Sequence, residues 1–129
     1  MDLNSKGRLI HEAELTVEPV KFAELVAAIG TPTAGETASL VVWFGATIGG
    51  DDKLVQALDM DLSRALLSGQ RYDWNRPFQP GETVRARLSV EEVTEKGSNH
   101  LAVILAEFRD ASGELIQSQH TTFIERAAT

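Results

Sequence analysis

From residue 84 to residue 91 the chain alternates without a break. Val84, Ala86, Leu88 and Val90 are apolar, with Arg85, Arg87, Ser89 and Glu91 between and after them. Successive strand side chains point to opposite faces, so this pattern predicts a strand with one dry and one wet face. Leu101 to Phe108 is almost continuously apolar, which predicts a central strand covered on both faces. Leu115 to Ile124 carries Thr121, Thr122, Phe123 and Ile124, side chains that suit a pleated surface. The intervening Glu95-Lys96-Gly97-Ser98-Asn99 and Asp110-Ala111-Ser112-Gly113 are short, polar and glycine-containing. The three strands should therefore be antiparallel neighbours. Pro77 and Pro80 cannot donate to a ladder and keep residues 76–81 at an edge or in a loop. Just before them, Tyr72, Trp74 and Arg76 fall on one strand face, opposite Arg71 and Asp73.

The first half of the chain has a different period. Arg8 to Thr16 could start a strand. Glu18-Pro19 then opens a helix, with proline at the first helical position, where its missing N–H costs nothing. Phe22, Leu25, Val26 and Ile29 follow at helical spacing, and Gly30 is a suitable stop. Thr37 could cap a second helix, in which Leu40, Val41, Phe44 and Ile48 share a face while Val42 and Trp43 add bulk opposite. A helix apolar nearly all round is a buried helix. A buried strand over Leu40 to Phe44 is the competing reading. Gly49-Gly50 ends this element, Asp51 or Asp52 can cap a short helix through Leu58, and Leu62 to Leu67 could form another turn or two. The sum is α+β, an antiparallel sheet curled around one helix. With no linker long enough to divide it, residues 1–129 read as a single domain.

Composition narrows the function. The net charge of −7 argues against general nucleic-acid binding, which needs clustered Lys and Arg. The charge is uneven: the window from Arg64 to Lys96 carries +1 and the remainder −8. A mildly basic local face suits an anionic small molecule; ordinary solvated strand faces are the plainer reading. The chain has no cysteine, which excludes disulfides and thiolate chemistry. No apolar run approaches the roughly 20 residues of a membrane span, and Met1 to Gly7 has no signal-peptide core. A soluble cytoplasmic protein is the expectation.

The titratable residues show no metal-ligand spacing, so no metal and no cofactor are expected. His100 follows a predicted hairpin turn and should be exposed. His120 shares a strand face with Ser118 and Thr122 and could reach a cavity or a subunit seam, or serve as a hydrogen-bonded structural residue. His11 adjoins Glu12, which in a strand points the other way. Glu36 stands just before the predicted central helix, where the helix dipole favours an acid and where a carboxylate could also activate water.

One stretch carries a resemblance. Gln70-Arg71-Tyr72-Asp73-Trp74-Asn75-Arg76-Pro77-Phe78-Gln79-Pro80-Gly81-Glu82-Thr83-Val84 contains an Arg-x-Pro-x-x-Pro-Gly-acid-Thr-aliphatic element that feeds the strand meander. This resembles the MaoC-like dehydratases and hydratases of the hotdog fold, whose sheet wraps a central helix. Asp59 to Gln70 before it is similar to the N-terminal-type half of that superfamily, which usually lacks catalytic residues. The resemblance is good from Leu58 to Arg126 and extends to the helix opening at Val17 to Ala23. Hydratase members carry a loop of the form Gly-Asp-x-Asn-Pro-x-His, whose Asp and His hold water against the β-carbon of an enoyl thioester. Here the corresponding stretch is Gly30-Thr31-Pro32-Thr33-Ala34-Gly35-Glu36-Thr37, shorter and without Asp or His. Related chains also often have His where this one has Ser68 and Asn75.

The resemblance thus implies a hotdog subunit without catalytic residues of its own, pairing sheet to sheet with an identical or a different hotdog chain as a homo- or hetero-oligomer. Its partner would supply the Asp/His dyad of an (R)-specific enoyl-CoA hydratase or 3-hydroxyacyl-thioester dehydratase. This chain would line the acyl cavity with Trp43, Phe44 and Trp74, and would meet an acyl-CoA or acyl-carrier thioester with Arg71 and Arg76. Two other readings stay open: a homo-oligomeric acyl-CoA thioesterase using Glu36, and a catalytically silent acyl-CoA-binding protein.

Overall fold

The computed structural model describes residues 1–17 and 51–128. The predicted helix opening at Glu18-Pro19, the central helix between Thr37 and Gly49, and Glu36, Trp43 and Phe44 lie outside the described residues. Within them, β1 (Leu9–Thr16) is followed by α1 (Asp51–Leu58), a 3-10 turn (Leu62–Arg64), β2 (Ala65–Trp74), β3 (Thr83–Lys96), β4 (Asn99–Arg109) and β5 (Leu115–Glu125). The five strands form one sheet in the order β1-β3-β4-β5-β2, and every pairing is antiparallel. The three-strand meander expected from the alternation is therefore the middle of the sheet, with β1 and β2 as its edges.

Both hairpins follow from their turn residues. Gly97 takes φ +61° in the two-residue turn between Lys96 and Asn99, where a side chain would strain the backbone. In the β4–β5 turn the Asp110 carboxylate accepts from Ser112 N–H at 2.9 Å, Ser112 O–H at 2.6 Å and Glu114 N–H at 3.0 Å. An aspartate at this position substitutes for backbone acceptors that the turn cannot supply.

The concave face of the sheet holds the core. Val84, Ala86, Leu88 and Val90 on β3 lie beside Ala102, Ile104, Ala106 and Phe108 on β4, all buried. The expectation that β4 is covered on both faces does not hold. Leu101, Val103 and Leu105, on the convex face, are only half-buried, because among the described residues no second layer packs there. A second difference concerns Leu62 to Leu67. Only Leu62–Arg64 is helical, capped by the Asp61 side chain, and Ala65 already pairs with Glu125 in the sheet. Hydrogen-bonding partners along β5 override a weak local helical pattern.

The short α1 helix does form as read, and its C-terminus is closely tied. Asp59 has φ +48°, with its N–H donating to Gln56 O and that of Met60 to Val55 O. This is a Schellman closure with aspartate where glycine is usual. The last carbonyls are taken up by Asp2 N–H, donating to Leu58 O at 2.6 Å, and by Arg8, donating to Ala57 O at 2.6 Å. No helix among the described residues is long and apolar enough to cross a membrane.

Candidate functional site

The proline-rich segment between β2 and β3 is organised by Arg76 and Glu82. The Arg76 guanidinium meets both carboxylate oxygens of Glu82 and lies 3.4 Å from Asp110; it also donates to Pro77 O at 2.9 Å. Glu82 in turn accepts from Gln79 N–H at 2.6 Å. A planar fork on a carboxylate fixes distance and orientation together, so this pair closes the loop. The hydrogen bond to Glu82 raises the Arg76 pKa, against the opposing effect of burial, with Asp110 adding to the rise. Asp110 is held below the ordinary carboxylate range by the Ser112 hydroxyl first, then by turn N–H groups and Arg76, while burial works the other way.

The closed loop aims Phe78 into the core. Its ring stands edge-on to Trp74 at 5.4 Å and to Phe108 at 6.0 Å, with interplanar angles of 76° and 88°. Trp74 thereby sits on the concave face, half-buried, one strand position from the loop.

Arg71 is placed elsewhere. It pairs with Asp73 at 3.1 Å and with the His120 ring at 3.2 Å, on the convex face. His120 also has Glu91 at 3.4 Å and Asp73 at 3.6 Å. Arg71, Glu91 and His120 line an open cleft with Gly69, Gln70, Val103 and Thr122. The described residues that the sequence singles out are therefore not brought together. Trp74 faces the interior, Arg71 faces outward, and Arg76 is locked at the end of the sheet.

The basic window does not gather into a cationic patch. Arg64, Arg71, Arg76, Arg85 and Arg87 each have a carboxylate within 4 Å. On the convex side Glu12 and Glu14 of β1 face Arg87 and Arg85 across the ladder, and Arg109 pairs with Glu107. The register of the strands makes cross-strand pairs of Arg85 and Arg87, while Arg64, Arg71 and Arg76 find carboxylates close in sequence.

What the sequence reading passed over is a polar stripe on the concave face of β5 and β2. Gln117 is 0% exposed and Gln119 2%. Gln119 donates to Gln117 Oε1 at 2.8 Å, and Thr121 donates to Gln70 Oε1 at 2.9 Å. The Nε2 atoms of Gln117 and Gln70 are buried without a hydrogen-bond partner. Each such group costs about 1–3 kcal/mol if nothing ever accepts from it. The stripe escapes a sequence reading because β5 is polar on both faces, so that Gln117, Gln119 and Thr121 look no different from Ser118, His120 and Thr122.

At the far end of the stripe lies Glu125, 3% exposed. It accepts from the Met1 amino group at 2.7 Å and from Asp61 N–H at 2.6 Å, with His100 Nδ1 at 3.6 Å. Burial pushes its pKa up, but these two hydrogen bonds, with the charges of Met1 and Arg64, outweigh burial and leave it below the ordinary value. His100, expected to be exposed, is in fact half-buried beside this carboxylate. His11 lies 3.0 Å from Lys53. Among the described residues no cluster of His, Asp or Glu has the geometry to hold a metal ion.

Comparison with known proteins gives this architecture its relatives. The family model for the FAS1-like dehydratase domain region matches residues 19–119. A UPF0336 protein of Streptomyces griseus is 28% identical over 71 residues, which is 55% of this chain and 47% of that protein. The match thus spans about half the length of the curated relatives. Among solved structures, the C-terminally truncated HadBC (3R-hydroxyacyl-ACP dehydratase) complex of Mycobacterium tuberculosis superimposes with a TM-score of 0.69 at 16% identity, over 96% of this chain and 98% of that one. A MaoC-like dehydratase of Rhodospirillum rubrum gives 0.63 at 14% identity, over 96% and 94%. At such identities the likeness is one of fold, and the fold is the hotdog.

Proposed function

Starting from the fact that the chain belongs to the FAS1-like dehydratase-region family, within the hotdog-fold MaoC-like dehydratase superfamily, we propose that it is a cavity-forming, non-catalytic subunit. Its enzyme would be an (R)-specific enoyl-CoA hydratase or 3-hydroxyacyl-thioester dehydratase. The observation that carries this reading is the stretch Gly30 to Thr37, which has neither Asp nor His where hydratases of this fold keep both. Hydration adds a water oxygen to the β-carbon of the enoyl thioester and a proton to the α-carbon, so it needs a positioned base and acid. Of the three described histidines, His120 is on the convex face, His100 lies beside Glu125, and His11, opposite Leu88, lies 3.0 Å from Lys53. The dyad would come from a partner hotdog chain.

The sheet edges support an oligomer. On β2 and the turn before it, Leu62, Leu66 and Leu67 are 64%, 48% and 62% exposed, and among the described residues β2 has a strand neighbour on one side only. An apolar edge with unpaired N–H and C=O groups is a pairing edge. The HadBC dehydratase, a complex of two chain types, gives this pairing a precedent in the fold.

Within such an assembly Trp74, with Trp43 and Phe44, would wall the acyl cavity. Arg71 and Arg76 are the groups offered to the phosphates of CoA or a carrier, each already sharing its charge with a carboxylate. The test is hydration of crotonyl-CoA and of a longer enoyl-CoA by the purified chain, alone and with a hotdog partner. Turnover only with the partner is expected. Hydration by the chain alone would overturn the non-catalytic role, and release of free CoA by the chain alone would bring Glu36 forward as a thioesterase carboxylate.

A further inference from the structure

We infer that the concave face of β2 and β5 reads a neutral oxygen on the acyl chain. The subunit would then select acyl thioesters that carry a keto or comparable oxygen in the tail over plain alkyl thioesters. This rests on the acyl-cavity role proposed above.

Gln117 and Gln119 are buried on the face that also carries Trp74 and Tyr72. Their amides form a chain in which Gln119 donates to Gln117, and the Gln117 amide nitrogen has no acceptor. Gln70 repeats the arrangement: its oxygen accepts from Thr121 and its nitrogen is unpartnered. Both free atoms are donors, so the complement to both ends of the stripe is an acceptor. Gln70 pairs with Thr121, four residues along β5 from Gln117, so the stripe runs for about 13 Å. Between Gln117 and Gln70 the concave-face side chains, Tyr72, Gln119 and Thr121 among them, are uncharged. A carboxylate would find no counter-charge there, whereas a ketone or ether oxygen would find an N–H. A plain alkyl chain lying on the same surface would leave both amides unpaired; only an oxygenated chain returns the hydrogen bond that each amide gave up on leaving water.

The experiment titrates the full chain, in the assembly in which it purifies, with dodecanoyl-CoA and with its mono-oxo isomers, the keto group moved stepwise along the tail. These saturated esters bind without turning over. One or two adjacent keto positions should bind roughly tenfold more tightly than the unsubstituted ester, the worth of one hydrogen bond to a buried donor. Gln117→Leu or Gln70→Leu should abolish that preference, so that the oxo isomers bind no more tightly than dodecanoyl-CoA. On the unaltered protein, the carbon-13-labelled ketone stretch of the preferred isomer should keep a hydrogen-bonded frequency; this second readout decides the matter if the variants fail to fold. Equal binding across the series, or a ketone stretch at its hydrocarbon value, would overturn the inference and leave the amides to ordinary bound water. If no ester bound at all, the acyl-cavity role itself would fall, and this inference with it.

Discussion

Asp59 is in the left-handed region at φ +48°, a conformation that costs an L-residue energy and glycine very little. Asp59→Gly should therefore raise stability by about 0.5–1 kcal/mol, read as a higher urea midpoint at unchanged slope; glycine's greater freedom in the unfolded chain offsets part of the gain. Glu125 makes the opposite kind of contribution. Its folded pKa lies below the ordinary glutamate value, so the stabilisation it brings is complete above that ordinary value and is lost as pH falls through the lower folded one. Glu125→Gln should accordingly be less stable than the parent at neutral pH, and the gap should close under acid. A gap that stayed constant from neutral pH into acid would mean that the carboxylate charge plays no part. Asp59 reads in the sequence as a cap or a solvated surface acid, without its left-handed backbone; the role of Glu125 was not visible, because it gains its partners from residues 124 and 64 positions away.

At the scale of elements, alternation was an accurate guide where the two faces differ in chemistry. Residues 84 to 90 of β3 are the clear case, because the alternating apolar set is the buried set. It gave less where they do not. The apolar run of β4 overstated its burial, and the polar run of β5 concealed two buried glutamines. The proline segment was correctly kept out of the sheet, but the function of its arginine was not legible. Only the fold brings Glu82 and Asp110 to Arg76 and so makes the residue a clasp for its own loop. Phe78 is the side chain that this clasp positions. Phe78→Ala should destabilise by about 3–5 kcal/mol in a denaturant titration, as expected for removing a fully enclosed ring. The β2 edge has its own test. Leu67→Lys places a charge on the exposed apolar strip, and should shift the assembly towards separate subunits in sedimentation velocity while leaving the melting of the isolated sheet within about 0.5 kcal/mol of the parent. An unchanged sedimentation profile would move the seam away from this edge.

For the molecule as a whole, the hotdog architecture was legible from the order and spacing of its pieces, since each turn signal stood between runs of the right period. The candidate site was legible only in part. Parity along β2 correctly separates Arg71 from Trp74, but no local pattern says that Arg71 would be spent on Asp73 and His120. The convex face pairs its charges across strands in contact with solvent, whereas the concave face carries the buried amides.

The two borders of the sheet are unlike in kind. β1 presents His11, Glu12 and Glu14 and has α1 lying against it, whereas β2 presents leucines and, among the described residues, pairs with β5 alone. Two copies, or two relatives, can join leucine border to leucine border, and the composite then ends on a charged strand at each side. On that arrangement the sheet would double and offer no template for a third, so the border proposed to recruit a partner would also end growth short of a fibre.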